Sequence, residues 1–249
     1  MKILLVDIGG NNVKLLVSGQ KARRKIPSGP SLTPGRMVAA IKRAVAGWKY
    51  DAVTIGYPGP VKNGRISAEP VNLGRGWRRF DFRKAFGRPA RVINDAAMQA
   101  LGSFDGDREL FLGLGTGLGA ALVVEGIVQP LEIAHLPYRN GKTYEEFLGK
   151  GGLDRMGRKR WRGLVAEIVS RLHEAFQVDE VVLGGGNAKL LRSLPPGCRL
   201  GSNANAFRGG LRLWEPESGG RSSPAQAGVV SRRLPRPGTS RAHRGLVLK

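Results

Sequence analysis

The sequence predicts an α/β fold built from two similar halves, and three observations predict it. Residues 110–126 run an apolar stretch into closely spaced glycines around one hydroxyl, Gly115-Thr116-Gly117-Leu118-Gly119, and leave through a second apolar stretch. The N-terminus repeats that design, with Ile3-Leu4-Leu5-Val6, then Asp7-Ile8-Gly9-Gly10-Asn11-Asn12, then Val13-Lys14-Leu15-Leu16-Val17. Each such β-hairpin is followed by segments that alternate between helical and strand patterning. Without a Cβ, glycines let backbone N–H groups crowd around an anion. Two glycine tips, one with Asp7 closing its first strand, point to two halves that meet on one phosphate chain.

The first hairpin spans about residues 3–19. After the turn-rich Pro27-Ser28-Gly29-Pro30, Thr33-Pro34 opens a helix as cap and first residue, with Met37, Val38, Ile41 and Val45 at helical spacing to about Trp48. Ala52-Val53-Thr54-Ile55-Gly56 reads as a strand entering the loop Tyr57-Pro58-Gly59-Pro60. Arg91-Val92-Ile93-Asn94 is another strand, ending in Asp95 at the head of a helix that runs from Ala96 to Leu101. Ser103-Phe104-Asp105-Gly106-Asp107 marks the boundary, so the halves are 1–105 and 106–215. In the second half, Thr143-x-x-Glu146 is a capping box, and Trp161, Leu164, Val165, Ile168, Leu172 and Phe176 lie at helical spacing over about 158–176. Glu180-Val181-Val182-Leu183 is a strand that ends in Gly184-Gly185-Gly186, read as the opening of a further helix or as a plain strand-to-helix turn. Residues 216–249 are Ser, Gly, Pro and Arg with few apolar positions, the composition of a disordered basic tail.

No apolar run approaches the roughly 20 residues of a membrane span, and Met1-Lys2-Ile3 enters a strand directly, which leaves no signal peptide to expect. Cys198 is the only cysteine, so disulfide frameworks and cysteine-built zinc sites are excluded and a cytoplasmic address is the default. The chain holds 41 Lys+Arg against 19 Asp+Glu, a formal charge of +22. Residues 216–249 contribute seven basic residues and one acid, a share of +6 that leaves +16 on the body. Such a body excess calls for an anionic partner or substrate. Its clusters are Lys21, Arg23, Arg24 and Lys25; Arg75, Arg78 and Arg79; and Arg155, Arg158, Lys159, Arg160 and Arg162.

Asp95 is the leading catalytic residue. A strand ending in Asn94-Asp95 and turning into a helix presents both side chains at a cleft edge, where a carboxylate can take the proton of an attacking hydroxyl. Taken alone, the same residue reads more readily as a helix cap. Six pieces in order alter the balance: Asp7-Ile-Gly-Gly-Asn-Asn, Gly56-Tyr-Pro-Gly-Pro, Asn72-Leu-Gly-Arg-Gly-Trp77, Val92-Ile-Asn-Asp-Ala-Ala, Leu114-Gly-Thr-Gly-Leu-Gly and Leu131-Glu-Ile-Ala-His135. Over about residues 1–215 the chain resembles the ROK family of repressors, open reading frames and sugar kinases, most closely its polyphosphate glucokinase branch. The resemblance implies the actin-like two-domain fold of hexokinases, with a cleft between the halves. It implies Asp95 as catalytic base, Asn94, Glu132 and His135 as ligands of sugar hydroxyls, and Asn72 as support of the sugar loop or a plain turn residue. It further implies that Gly9, Gly10, Asn11, Lys14, Gly115, Thr116, Gly117 and Gly119 hold the phosphoryl donor, with Asp7 near Mg²⁺. Gly184, Gly185 and Gly186 resemble the segment that approaches adenosine in ATP-using relatives.

Three departures accompany the resemblance. Asn11 stands where the family usually has Thr, Ala134 replaces the glycine before the histidine, and the family's cysteine zinc motif is absent, so no zinc is expected. The activity expected is phosphoryl transfer to the 6-hydroxyl of glucose or a similar hexose, from polyphosphate and/or ATP. The body charge favours polyphosphate, which carries roughly one charge per phosphate where ATP has only a few. Other readings are an ATP-dependent kinase for another hexose, a sugar binder without kinase activity, and a sugar-responsive DNA-binding regulator. Against the last, no helix-turn-helix precedes Ile3, so neither sequence-specific nucleic acid nor membrane is an expected partner. A homodimer is compatible with the sequence.

Overall fold

A computed structural model describes residues 1–202 and 204–215; the tail expected at 216–249 lies outside the described residues. The chain opens with β1 (Ile3–Ile8), β2 (Asn12–Val17) and β3 (Arg23–Pro27), an antiparallel meander. Helix α1 (Pro34–Ala44) crosses back to β4 (Ala52–Tyr57), which lies parallel to β1. Thr33 Oγ1 caps α1 by accepting the Arg36 N–H, with Pro34 in the first turn. The helix stops at Ala44 instead of reaching Trp48, and Gly47 turns the chain at φ +83°. A two-stranded ribbon of β5 (Val61–Lys62) and β6 (Arg65–Ile66) and the short α2 (Phe82–Phe86) precede β7 (Ala90–Asn94), parallel to β4, and α3 (Asp95–Ser103) follows directly.

The second half repeats this plan. The strands β8 (Arg108–Leu114), β9 (Leu118–Val124) and β10 (Ile127–Leu131) form its meander. Then come the small hairpin β11 (Pro137–Arg139) and β12 (Lys142–Thr143), α4 (Tyr144–Leu148), α5 (Lys150–Phe176), β13 (Glu180–Gly184), β14 (Cys198–Leu200) and α6 (Asn205–Arg212). The capping box expected at Thr143 and Glu146 is present at the start of α4. The two five-stranded sheets have orders β3-β2-β1-β4-β7 and β10-β9-β8-β13-β14, the same topology strand for strand. That is the α/β actin-like architecture, with the internal repeat that residue identity alone is too weak to establish.

Each sheet is covered on one face by its own crossover helix. Met37, Val38 and Ile41 of α1 pack on Val6, Ile8, Val53 and Ile55, and Trp161, Val165, Ile168 and Val169 of α5 pack on Leu112, Leu114, Val181 and Leu183. Burying such side chains contributes about 1.5–3 kcal/mol apiece. The other faces are covered by exchange. Ala96, Ala97 and Ala100 of α3, which follows the first sheet, pack on Phe111, Ala121 and Val182 of the second. Phe207 and Leu211 of α6, which follows the second sheet, pack with Trp214 on Ile3, Leu5 and Ala52 of the first. The two exchanged helices also meet each other, and they do so through glycine. A Cβ at Gly102 would strike the Asn205 carbonyl oxygen, and one at Gly209 the Met98 carbonyl oxygen. This crossing places the N-terminus of α3, with Asp95, between the sheets. Among the described residues no helix is long and apolar enough to cross a membrane.

Candidate functional site

Strand β7 ends at Asn94, whose extended backbone and short amide make it the cap of α3. Its Oδ1 accepts the Ala97 N–H at 2.9 Å, and its Nδ2 donates to the Gly59 carbonyl at 3.1 Å, tying the loop after β4 to the helix. The capping role therefore falls to Asn94, and Asp95 is the first helical residue, with Oδ1 accepting the Ala96 N–H at 2.8 Å. The Asp95 carboxyl is pushed up to about 7, chiefly by burial, with an upward push from the Asp7 carboxylate and a smaller one from Glu132, against downward pulls from the Ala96 N–H and its own. Asp95 thus feels the charges of both Asp7 and Glu132, although the three come from α3, β1 and the segment after β10.

The two glycine turns meet beside this carboxyl. In the first, Gly9 N–H donates to the Asn12 carbonyl at 3.0 Å, and a Cβ placed on Gly10 would lie 3.3 Å from Thr116 Oγ1 in the second turn. Asp7 and Lys14 face each other across the β1–β2 pair, with Lys14 Nζ 3.0 Å from Asp7 Oδ2. Asn11 is exposed at the tip, its carbonyl accepting the Ser28 N–H. In the second turn, Gly119 approaches α3 so closely that an added Cβ would lie 2.9 Å from Ala96 Cβ, which draws the turn to the residue next to Asp95.

Three residues not anticipated from the sequence shape this second turn. Glu145 Oε2 accepts the Leu118 N–H at 3.0 Å and lies against Gly117, so a carboxylate already sits on one of the turn's backbone donors. Lys150 N–H donates to the carbonyls of both Gly115 and Thr116 at 3.1 Å, and Asn187 Nδ2 donates to the Gly115 carbonyl at 2.9 Å. The signals were adjacent to features already recognised: Glu145 is beside the capping-box Glu146, and Asn187 follows the three glycines. Only the tertiary fold reveals what they touch.

Glu132 precedes and His135 closes a 3₁₀ turn (Ile133–His135) after β10, with Oε2 and Nε2 3.9 Å apart and both side chains exposed. Glu132, Asn94 and Trp77 line a cleft of about 2150 Å³ whose walls come from both halves. Asn72 is exposed, and its side chain has no hydrogen-bond partner among the described residues; Glu69 is what holds that loop, accepting the N–H groups of Gly76, Trp77 and Arg78 at 2.9, 3.1 and 3.2 Å. The helix expected after Gly184-Gly185-Gly186 is replaced by one 3₁₀ turn (Ala188–Leu190), which ends where Leu191 takes up extended backbone (φ -70°, ψ 131°). Gly184 makes room for the Phe111 ring, a Cβ there falling 2.5 Å from Phe111 Cζ, while Gly185 (φ +82°) packs on the Leu114 carbonyl. Gly186 faces open space.

A model of the ROK family matches residues 3–130, just over half of the chain. The chain belongs to the ROK family. A glucokinase of Pyrobaculum calidifontis is 32% identical over 133 residues, which cover 51% of this chain and 40% of that protein. Among solved structures, the inorganic polyphosphate/ATP-glucomannokinase of Arthrobacter sp. strain KM superposes with a TM-score of 0.74 at 22% identity, covering 85% of this chain and 97% of its own. A ROK family glucokinase from Streptomyces griseus in complex with glucose and AMPPNP gives 0.65 at 18% identity, covering 86% and 99%. These structural likenesses show the fold, and ROK members share it.

Proposed function

We propose that the protein transfers a phosphoryl group to the 6-hydroxyl of glucose or a similar hexose, with polyphosphate as the favoured donor and ATP as the alternative. One observation carries the reading: a carboxyl held near pH 7, Asp95, stands at the meeting point of two glycine turns and beside the hydrogen-bonding side chains Asn94 and Glu132. A base with that affinity for protons is suited to relieve an attacking hydroxyl of its proton as the bond to phosphorus forms. Asn94, Glu132 and His135 would orient the sugar, whose reactive hydroxyl must be fixed before the transfer can be fast. The backbone N–H groups of Gly10, Thr116 and Gly117 would receive the donor's phosphate oxygens, those of Gly115 and Leu118 being taken by the Gly117 carbonyl and Glu145. The names of the Pyrobaculum and Arthrobacter relatives agree with a hexose acceptor and with either donor.

No cluster of three or more His, Cys, Asp or Glu able to hold a metal occurs among the described residues. A phosphate-borne Mg²⁺ needs only one or two protein carboxylates, and Asp7, at the end of β1 between the turns, fits that requirement with Oδ2 on Lys14 and Oδ1 without a donor among the described residues. Bound there, Mg²⁺ would neutralise charge on the donor phosphates. The deciding test is formation of glucose 6-phosphate from glucose with polyphosphate and with ATP, each in Mg²⁺ and across a salt series. Product from ATP alone, with none from polyphosphate at low salt, leaves the sugar kinase and removes the polymer donor. Glucose binding without product from either donor removes the kinase reading itself.

A further inference from the structure

The three basic clusters are not equivalent in the fold. In the first, the Arg24 guanidinium donates to the Ala44 carbonyl and lies 4.8 Å from the Trp48 ring centroid, while Arg23 lies 5.5 Å from that of Phe207. Those cations, on the edge strand β3, cover the rings of Trp48 after α1 and Phe207 of α6. In the second, Arg78 and Arg79 line the cleft wall with Trp77, on the side of Asn94 and Glu132. The third begins at the second glycine turn. The first residue of α5, Lys150, is bonded through its N–H to Gly115 and Thr116, and Gly149 packs against the Thr116 carbonyl, where a Cβ would lie at 2.9 Å. From there α5 carries Arg155, Arg158, Lys159, Arg160 and Arg162 against one acid, Asp154, which Lys150 already pairs at 2.5 Å.

Helical geometry breaks at Gly157 (φ 74°, ψ 162°), and Arg158, Lys159 and Arg160 lie on the exposed stretch just past the break. None of the three pairs with a carboxylate among the described residues. Lys159 and Arg160, with Arg139, border a depression of about 570 Å³. Three cations without a carboxylate partner among the described residues, Arg158, Lys159 and Arg160, on the helix that begins at a phosphate-type turn suit an anion that continues as charge. A nucleotide does not, since past its phosphates it becomes ribose and base.

We propose that the exposed cations just past the break in α5, Arg158, Lys159 and Arg160, are the docking track for the distal part of a linear phosphate polymer whose terminal phosphate lies at the Gly115–Gly119 turn. This rests on the donor reading above and assigns one of the three basic clusters to it. The track raises the local concentration of the polymer and holds it in register by long-range attraction, so its effect grows with chain length and fades with salt.

The test measures binding of fluorescently labelled long-chain polyphosphate to the full chain by anisotropy, at low and at physiological salt. The parent is compared with R158E/K159E/R160E and with K42E/R43E/K49E, a reversal of equal charge on and after α1; circular dichroism confirms that each is folded. Affinity about tenfold or more below that of the α1 reversal, with the deficit shrinking as salt rises, is the expected result. Equal affinity in the two reversals overturns the track. Glucose phosphorylation by the parent with the same polymer separates the two claims. Turnover with equal affinities sinks the track alone, whereas no turnover at any salt sinks the donor reading and the track together.

Discussion

Gly10 and Thr116 stand tip to tip, one from each half of the molecule, with room between them for a hydrogen but not for a methyl group without adjustment: a Cβ on Gly10 would lie 3.3 Å from Thr116 Oγ1. The contact joins turns 106 residues apart in sequence, and it exists because both hairpins end at the inner edges of their sheets. Gly10→Val should wedge the tips apart. The turn is exposed enough for the fold to survive, so thermal unfolding should stay within a few degrees of the parent. Misplacing reacting groups by about 1 Å costs on the order of 10²-fold in rate, and a loss of that size in kcat/KM for the donor is expected. Undiminished kcat/KM in the variant would show that the meeting of the turns has no part in catalysis.

Asp95→Asn should lower kcat by about 10²–10⁴-fold, the usual worth of a positioned base. The parent should lose kcat/KM as pH falls through about 7, because only the ionised carboxylate can accept a proton. Stability should move the other way. The folded-state value lies above the ordinary aspartate value of about 3.8, so the fold binds the extra proton between those limits and loses stability as pH rises from about 3.8 to 7. Asp95→Asn should thus raise Tm relative to the parent at pH 8 and give no such gain at pH 4. A difference of about 1 kcal/mol corresponds to about 2–4 °C in a chain of this size. An equal Tm difference at both pH values would mean that the carboxyl is not held in its protonated form.

Asp7→Asn separates two roles of one residue. Removing its charge relieves part of the upward push on Asp95, so the acid limb of the pH profile should move to lower pH. The move should stop short of an ordinary aspartate, because burial is the larger cause. The plateau rate should also drop, and raising Mg²⁺ should restore part of it, if Asp7 holds the ion. A lower plateau with an unmoved acid limb would detach Asp7 from Asp95.

How much of this was legible in the sequence depended on whether the signal was local. Both hairpins, the cap at Thr33, the box at Thr143 and Glu146, and the strand ending at Asn94 were readable because each is decided by residues within a turn of one another. Helix α6 was not. Its Gly209-Gly210 reads as loop, since glycine is a poor helix former, yet the tertiary fold needs a residue without a side chain where α6 meets α3. The three glycines after β13 erred in the opposite direction. They resemble a helix opening, but Gly184 and Gly185 are required by the Phe111 ring and the Leu114 carbonyl. Glu145 was invisible for a third reason: its partner, Leu118 N–H, is 27 residues away on another element.

Two glycine-to-alanine substitutions, one at the crossing of α3 and α6 and one away from it, should act with opposite signs. Gly209→Ala puts a methyl group into the Met98 carbonyl, a backbone atom that cannot swing aside, so the two helices must separate. Overpacking costs about 1–3 kcal/mol when side chains can yield, and backbone against backbone places this variant at the upper end or beyond. Gly163→Ala lies on α5, exposed, with nothing within 4 Å of the added Cβ. There the only effect is the entropy that glycine loses on folding, and a gain of about 0.5–1 kcal/mol is expected. Chemical denaturation reads both, as a lowered midpoint for the first and a raised one for the second with the slope unchanged. A Gly209→Ala variant as stable as the parent would mean that the exchanged helices do not touch as closely as the crossing requires. Asp95, carried on the first turn of α3, would then owe its position between the sheets to something other than α6.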